Sequence, residues 1–316
     1  NIPVDSRLKA ALPHSQQNFY DSFEIDARAD AEIKIFPNQV GKRLVEYIAK
    51  ITVKDAKLLY EKFPIPWTNV NVDAVLTPDG IFLREFEGTN GSGKIKANGT
   101  VWPANDKNND AGFCLSLNAE NIEIENDWLN SLPDEVRGTL REFKPAGSVN
   151  INADLGRNSR TECPEYRIEI DCLGNSLSIP HFDYPVENVF GKVIMLDDKV
   201  KFDNIRAGSS DSGENAEEIC LNGTVLRKDD HISRVDLTLS AADISFDQKL
   251  EKAFDVFAGG FYDNISPSGR FDLNIDKFVF KNSPAKDRTI DYSGDLILKD
   301  CSFEDGKTIS GLFAKI

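Results

Sequence analysis

Apolar and polar residues alternate with period two over most of the chain. In Asn69-Val70-Asn71-Val72-Asp73-Ala74-Val75-Leu76, the side chains of Val70, Val72, Ala74 and Leu76 fall on one face, and Pro78-Asp79-Gly80 then supplies a turn. Gly147 to Leu155 alternates through Val149, Ile151 and Ala153, and Arg167 to Cys172 through Ile168 and Ile170. Lys199 to Ile205 and Phe271 to Ile275 repeat the pattern. Alternation of this kind predicts strands with one apolar and one wet face. Asp79-Gly80, Asn90-Gly91, Asn98-Gly99 and Asp197-Asp198 punctuate them at short intervals, which predicts antiparallel hairpins and meanders.

Spacings of three and four appear in only three places. Leu8, Ala11 and Leu12 follow Asp5; Trp128, Leu132, Val136 and Leu140 follow Asp127; Leu250, Phe254 and Phe257 follow Asp247. Each predicts a short amphipathic helix behind an acidic cap. Pro133 shortens or breaks the second. One such helix against about seven strands is too little to cover a sheet face.

The chain also repeats itself. Phe63-Pro64-Ile65-Pro66-Trp67-Thr68-Asn69-Val70 returns as Phe182-Asp183-Tyr184-Pro185-Val186-Glu187-Asn188-Val189, an offset of 182 − 63 = 119. Asn98-Gly99-Thr100-Val101 returns as Asn222-Gly223-Thr224-Val225, at 222 − 98 = 124. Pro145 to Asn152 matches Pro267 to Asn274, and Ser116 to Ile122 matches Thr238 to Ile244, both at 122. Val53-Lys54-Asp55-Ala56 finds an echo in Leu298-Lys299-Asp300-Cys301, two periods on. Landmarks in one order at one period predict tandem units of about 120 residues: a first over residues 1–125, a second over 126–246 and a truncated third over 247–316. The expected fold is therefore mainly β, an elongated, curved antiparallel β-sheet with one short helix per unit.

The order of these landmarks resembles the tandem units of the AsmA-like family of bacterial envelope proteins, of the AsmA, TamB, YdbH and YhdP kind. It comprises a helix with Leu-Pro, a Pro-x-Gly-x-apolar strand, a Phe-x-x-Pro-x-x-Asn-Val segment and an Asn-Gly-Thr-Val strand, and it covers the chain from about Pro3 to Cys301. The pattern favours Gly after Asn-Val, as Gly191 supplies; Val72 departs from it in the first copy. The resemblance implies a periplasmic body, anchored to a membrane by a segment outside this sequence, that supports outer-membrane homeostasis through lipid binding or lipid transport. It implies phospholipid acyl chains as ligands, envelope proteins as partners, and no residue-level catalytic motif.

The residues argue separately for an apolar trough. A single amphipathic sheet must cover its apolar face with helices, a second sheet or ligand. An acyl chain of about 16 carbons loses roughly 12 kcal/mol on exposure, at about 0.8 per methylene. Val53, Phe63, Val70, Val72, Phe182, Val189 and Val193 are the residues expected to line that face. The alternative is a repetitive module that binds glycans or a protein partner, for which Trp67 and Trp102 are the candidate aromatics.

Composition narrows the choice. With 52 acidic against 37 basic residues the formal net charge is −15, which repels phosphate backbones, so no nucleic acid is expected as partner. No apolar run is long enough to span a membrane. Asn1 at the start and strand-like Leu312 to Ile316 at the end suggest that the chain continues at both ends. Five cysteines without a CxxC pair outline neither a zinc site nor a disulfide framework, although Cys163 and Cys172 are near enough in sequence to bridge.

Catalytic motifs fail on inspection. Gly88 to Lys94 reads GxxxxGK, but Ile95 stands where a phosphate loop needs Ser or Thr and a helix, and Lys94 to Asn98 alternates as a strand; a hairpin turn is expected. His14, His181 and His231 lack metal spacing, and the acidic stretches 105–110 and 211–218 lack that of a calcium loop. Neither GxSxG nor a Cys-His pair occurs, and repetition itself speaks against a unique active site. No catalytic residue, metal or cofactor is expected, and the chain is expected not to be an enzyme. For the recurring Phe63/Phe182, Pro66/Pro185 and Asn69/Asn188 a structural role is expected, the prolines shaping an edge or corner between strands and the aromatics packing beneath it.

Overall fold

The computed structural model describes residues 1–11, 17, 20–37, 45–61, 63–102, 112–124, 144–158, 163–179, 182–208, 217–228, 231–255, 267–283, 286–302, 308–309 and 312–315. The chain is mainly β and its sheets are antiparallel. Contacts divide it into two compact units, Asn1–Arg137 with Asn150–Ile168, and Gly138–Val149 with Glu169–Ile316.

The first unit is a meander. Its long strands are β3 (Arg28–Pro37), β4 (Val45–Tyr60), β5 (Phe63–Thr77), β6 (Gly80–Asn90), β7 (Gly93–Trp102) and β8 (Gly112–Glu123), each paired with the next. Short β1 (Ile2–Pro3) pairs with β3 and β2 (Phe23–Asp26) with β4, while β9 (Ser148–Arg157) follows β8. Between β1 and β2, Asp5 Oδ1 accepts the Arg7 and Leu8 amides at 3.0 and 3.3 Å and starts helix α1 (Ser6–Ala11).

The second unit repeats the plan. After β10 (Tyr166–Ile179) come β11 (Phe182–Leu196), β12 (Lys199–Gly208), β13 (Glu218–Lys228), β14 (His231–Ser245), β15 (Ser268–Ser283) and β16 (Lys286–Ser302), again paired in order. The short β17 (Thr308–Ile309) and β18 (Leu312–Lys315) both pair with β16. Helix α2 (Gln248–Asp255) follows β14, capped by Asp247 Oδ1 on the Lys249 and Leu250 amides at 3.0 and 2.9 Å. The expected helix at 127–141 and Leu12 lie outside the described residues.

Turns form at Asp79-Gly80, Asn90-Gly91 and Asp197-Asp198. Asn98-Gly99 is no turn: it lies inside β7, paired with Ser116 and Leu115, its glycine leaving room for the adjoining strand. Gly80 pairs with Thr77 across Pro78-Asp79, and Leu196 with Lys199 across Asp197-Asp198. The glycine-rich stretch is the β6–β7 hairpin: Asn90 pairs with Gly93, Gly91 turns the chain at φ 54°, and Ile95 and Lys96 sit in β7.

Period-two alternation conceals a second device. Asp55, Asn121, Asn204 and Asp243 have φ between 51° and 55°, and each points its amide at an Asn or Asp side chain of the adjoining strand. The acceptors are Asn71 at 3.2 Å, Asn150 at 2.8 Å, Asn222 at 2.7 Å and Asp272 at 2.8 Å. Around Asp55, Asn204 and Asp243 the strand register slips, between Val53 and Ala56, Phe202 and Ile205, and Ala241 and Ile244. These are β-bulges, which bend a strand and increase its twist. Asn and Asp tolerate the left-handed conformation better than other non-glycine residues, and a polar side chain across the ladder replaces the bond that the bulge removes.

At Asn69 and Asn188 the expected corner between strands is a bend within β5 and β11, in the same conformation, at φ 50° and 52°. Asn69 Nδ2 donates to Thr89 Oγ1 at 3.0 Å, and Asn188 Nδ2 to the Gly208 carbonyl at 3.0 Å. In β11 the bend includes Gly191 at φ 119°, where a Cβ would lie 2.4 Å from the Asn204 carbonyl oxygen. In β5 the ladder to β6 slips between Thr68 and Asn71 and again between Asp73 and Ala74, while Val72 itself pairs with Phe86 and needs no glycine.

The sulfur chemistry corrects the sequence reading. Cys163 is bonded to Cys114, with Cα atoms 6.1 Å apart, while Cys172 is a free thiol. After β9 the chain turns back, the Gly156 amide donating to the Glu165 carbonyl at 2.9 Å, and Cys163 comes alongside the end of that strand. The nine residues to Cys172 count for less than this reversal.

Candidate functional site

Cross-strand partners in an antiparallel ladder point to the same side, so the registers identify which residues share a face. In the first unit one row runs Ile51, Ala74, Leu83, Gly99, Leu115. The next runs Val53, Val72, Phe86, Ala97, Leu117, and another Ala49, Leu76, Ile81, Val101, Phe113. The opposite side carries Thr52, Asp73 and Glu85, and Glu87, Lys96 and Asn118.

The second unit has the same division. Its rows are Val200, Val225, Val235, Phe280, Ile290; Phe202, Gly223, Leu237, Phe278, Tyr292; and Ile205, Leu221, Leu239, Ile275, Gly294. Behind them lie Lys201, Thr224, Asp236, Val279 and Asp291, and Arg206, Cys220, Ser240, Asn274 and Asp295. Each unit therefore presents a continuous apolar face backed by a polar one.

Cover is uneven along these rows. Helix α2 lays Leu250 and Ala253 over Tyr184, Ala241 and Ile244, with Phe246, Phe271 and Leu273 packed around them. Toward the β15–β16 hairpin the same face opens, and Ile290 and Tyr292 are 61% and 60% exposed. In the first unit Ile33 and Ile35 are 60% and 68% exposed. Among the described residues the largest side chain with essentially no exposure is that of Cys301. A closed core in a protein of this size would enclose many leucines and phenylalanines completely.

A shallow hollow of about 350 Å³ lies where Gly223, Leu237 and Phe278 meet. Gly223 cannot carry a side chain there, because a Cβ would lie 2.2 Å from the Asp236 carbonyl oxygen.

Of the expected lining residues, Val53 and Val72 are direct cross-strand partners on the apolar face, with Val70 and its partner Ala56 one step along. Val193 pairs with Phe202 on the corresponding face of the second unit, and Val189 is buried. Phe63 pairs through its backbone with Tyr60, and Phe182 begins β11; both side chains lie outside the described residues. The expectation passed over Phe202, Leu237, Phe278 and Phe280, half-buried groups on the second face. Alternation in Val235-Asp236-Leu237-Thr238-Leu239 marked that strand, and nothing in it marked which alternating run would be uncovered.

The polar side is tied by charge. Lys299 Nζ donates to Asp243 Oδ1 at 2.8 Å and pairs with Asp272 Oδ1 at 2.7 Å. Burial pushes the Asp272 carboxyl up, but the Asp243 amide and Lys299 outweigh it and hold the group below its ordinary range. Bonding to Asp243 and then Asp272 raises Lys299. Among the described residues no group of three or more His, Cys, Asp or Glu side chains is placed to hold a metal ion, and no helix is long and apolar enough to cross a membrane. His14, His181 and the stretch 105–110 lie outside those residues, as does most of 211–218.

Comparison of the chain with protein-family models, with curated proteins and with solved structures finds no match in any of the three.

Proposed function

We propose that the protein binds lipid, its apolar sheet faces taking up the acyl chains of phospholipid while the polar faces meet water. The observation that carries this reading is the open face: continuous rows of aliphatic and aromatic side chains, covered by α2 at one end and exposed at the other. Uncovered apolar surface on this scale marks a binding surface. Acyl chains suit it because the rows offer area and few polar groups, so they select for length and apolarity rather than for a shape.

The AsmA-like resemblance points the same way, toward a periplasmic, membrane-anchored role in lipid transport and envelope maintenance. The Cys114–Cys163 disulfide supports an oxidising compartment. Equivalent left-handed residues 122 positions apart, Asn121 and Asp243 with acceptors Asn150 and Asp272, support tandem units. Trp67 and Trp102, the aromatics a glycan-binding module would use, are only 6% and 8% exposed, which favours the apolar face over that alternative.

Native mass spectrometry of the purified chain, followed by organic extraction, tests the reading. Phospholipid is expected to co-purify at near-stoichiometric levels, and Val72→Lys or Val193→Lys to reduce it at least fivefold with the far-ultraviolet circular dichroism unchanged. A lipid-free parent chain that also fails to take up a fluorescent fatty acid would sink the proposal.

A further inference from the structure

Strand β3 is an open edge of the first unit's meander. One side of it is paired with β4 from Ala29 to Pro37. On the other side β1 reaches only Arg28 and Ala29, and the Asn1 ammonium ends that cover on Asp30 at 2.5 Å. From Ala31 onward no strand pairs with this side among the described residues. Every residue from Ala31 to Pro37 is exposed, Ile33, Ile35 and Phe36 included. Free backbone donors and acceptors beside exposed aliphatic side chains are a template for another strand.

The residues of the edge select the strand that fits it. Ala31-Glu32-Ile33-Lys34-Ile35 puts its aliphatic residues on the side of the apolar rows, and one acid and one base on the other side. Set antiparallel to a second copy, with Ile33 against the partner's Ile33, Glu32 lies opposite the partner's Lys34 and Lys34 opposite the partner's Glu32. Ala31 and the partner's Ile35 then face one another, as do Ile35 and the partner's Ala31. A shift of two residues sets Lys34 against Lys34 or Glu32 against Glu32, and like charges directly opposite destabilise a ladder. A shift of one residue joins the apolar side of one copy to the polar side of the other. Lys34 and Glu32 are exposed and meet along their own strand at 3.1 Å. Such a surface pair contributes little by itself, so both are free to turn across to a partner.

We propose that two copies of the chain join through their β3 edges, antiparallel about Ile33, into a two-fold dimer. The contact is self-complementary and closes on itself, as a two-fold interface must. The ladder ends where the fold already stops it: Pro37 has no N–H to give, and in this register it reaches Ala29, where β1 sits. Because opposed residues point to the same side, the row Ile33, Ala49, Leu76, Ile81, Val101 meets its counterpart in the partner, and the two apolar faces become one. This association goes beyond lipid binding and does not require either face to carry lipid.

Sedimentation velocity of the delipidated full chain tests the dimer, and cysteine substitutions test its register. The parent is expected to pass from monomer to dimer as its concentration rises. Lys34→Glu places an acid opposite Glu32 at two symmetric positions and should raise the dissociation constant at least about tenfold, while Lys34→Glu with Glu32→Lys should restore it. Directly opposed residues of an antiparallel pair have Cα atoms about 4.5–5.5 Å apart, within reach of a disulfide. In a Cys172→Ser, Cys220→Ser background, Ile33→Cys should therefore give a covalent dimer on mild oxidation. Ile35→Cys should not, because the two copies of that residue lie about 13 Å apart along the ladder. All these edge side chains are exposed, and circular dichroism should stay unchanged. A parent that remains monomeric to about 1 mM, a dimer that Lys34→Glu leaves intact, a charge swap that fails to restore it, or equal cross-linking from Ile33→Cys and Ile35→Cys would each overturn the proposal. Absence of co-purifying lipid bears on the sheet faces alone and leaves the delipidated dimer as it is.

Discussion

An asparagine or aspartate at positive φ costs on the order of 1 kcal/mol or more unless its surroundings compensate, and here a carboxylate or amide on the next strand does so four times over. Asp243 is the most heavily engaged. Its amide binds Asp272, its carboxylate binds Lys299, and Lys299 returns to Asp272. Because the Asp272 carboxyl is held below its ordinary range, it stabilises the fold above the unfolded-state value and loses that contribution as pH falls through the lower, folded value. Asp272→Asn is therefore expected to destabilise by about 1.5 kcal/mol near neutrality, and the gap from the parent should shrink as urea titrations are repeated down to pH 3. A constant gap would show that the charge plays no part. These bulges were not legible in the sequence. Alternation locates a strand but is blind to one inserted residue, and Asn or Asp in a strand reads equally well as a wet-face side chain. The recurrence of Asn69 and Asn188 marked a special position, but it is a left-handed bend within β5 and β11 rather than the expected corner between strands.

At the level of elements, strands and hairpins follow from alternation and turn residues because both are local. The helices followed where their caps were clear, as Asp5 and Asp247 illustrate. The disulfide did not, because it depends on how β9 reverses beside β8 rather than on spacing. The bond joins residues 49 apart in sequence and so restrains a large loop of the unfolded chain. Cys163→Ser is expected to lower stability by roughly 2–4 kcal/mol, seen as a lower urea midpoint. Cys172→Ser should leave that midpoint within error, and reductant should reproduce the Cys163→Ser result in the parent. If Cys163→Ser is silent while Cys172→Ser is not, the pairing is wrong.

For the molecule as a whole, the sequence showed a one-sided sheet with too few helices to cover it, and the open rows of each unit agree with that arithmetic. It did not show where the cover would fail, because alternation is the same under α2 as at the β15–β16 hairpin. The difference comes from what folds over each end, which is a long-range matter. The meander has a further, mechanical side. When neighbouring strands are also neighbours in sequence, tension on the two chain ends opens their hydrogen bonds one rung after another, as a zipper, rather than shearing a whole ladder at once. In an optical trap the chain should lengthen in many small steps at low force, and the Cys114–Cys163 bond should withhold about 170 Å of extension, at roughly 3.5 Å for each of its 49 residues, until a reductant is added. A protein built this way yields gradually under load, a useful property if its two ends are ever fastened to surfaces that move apart.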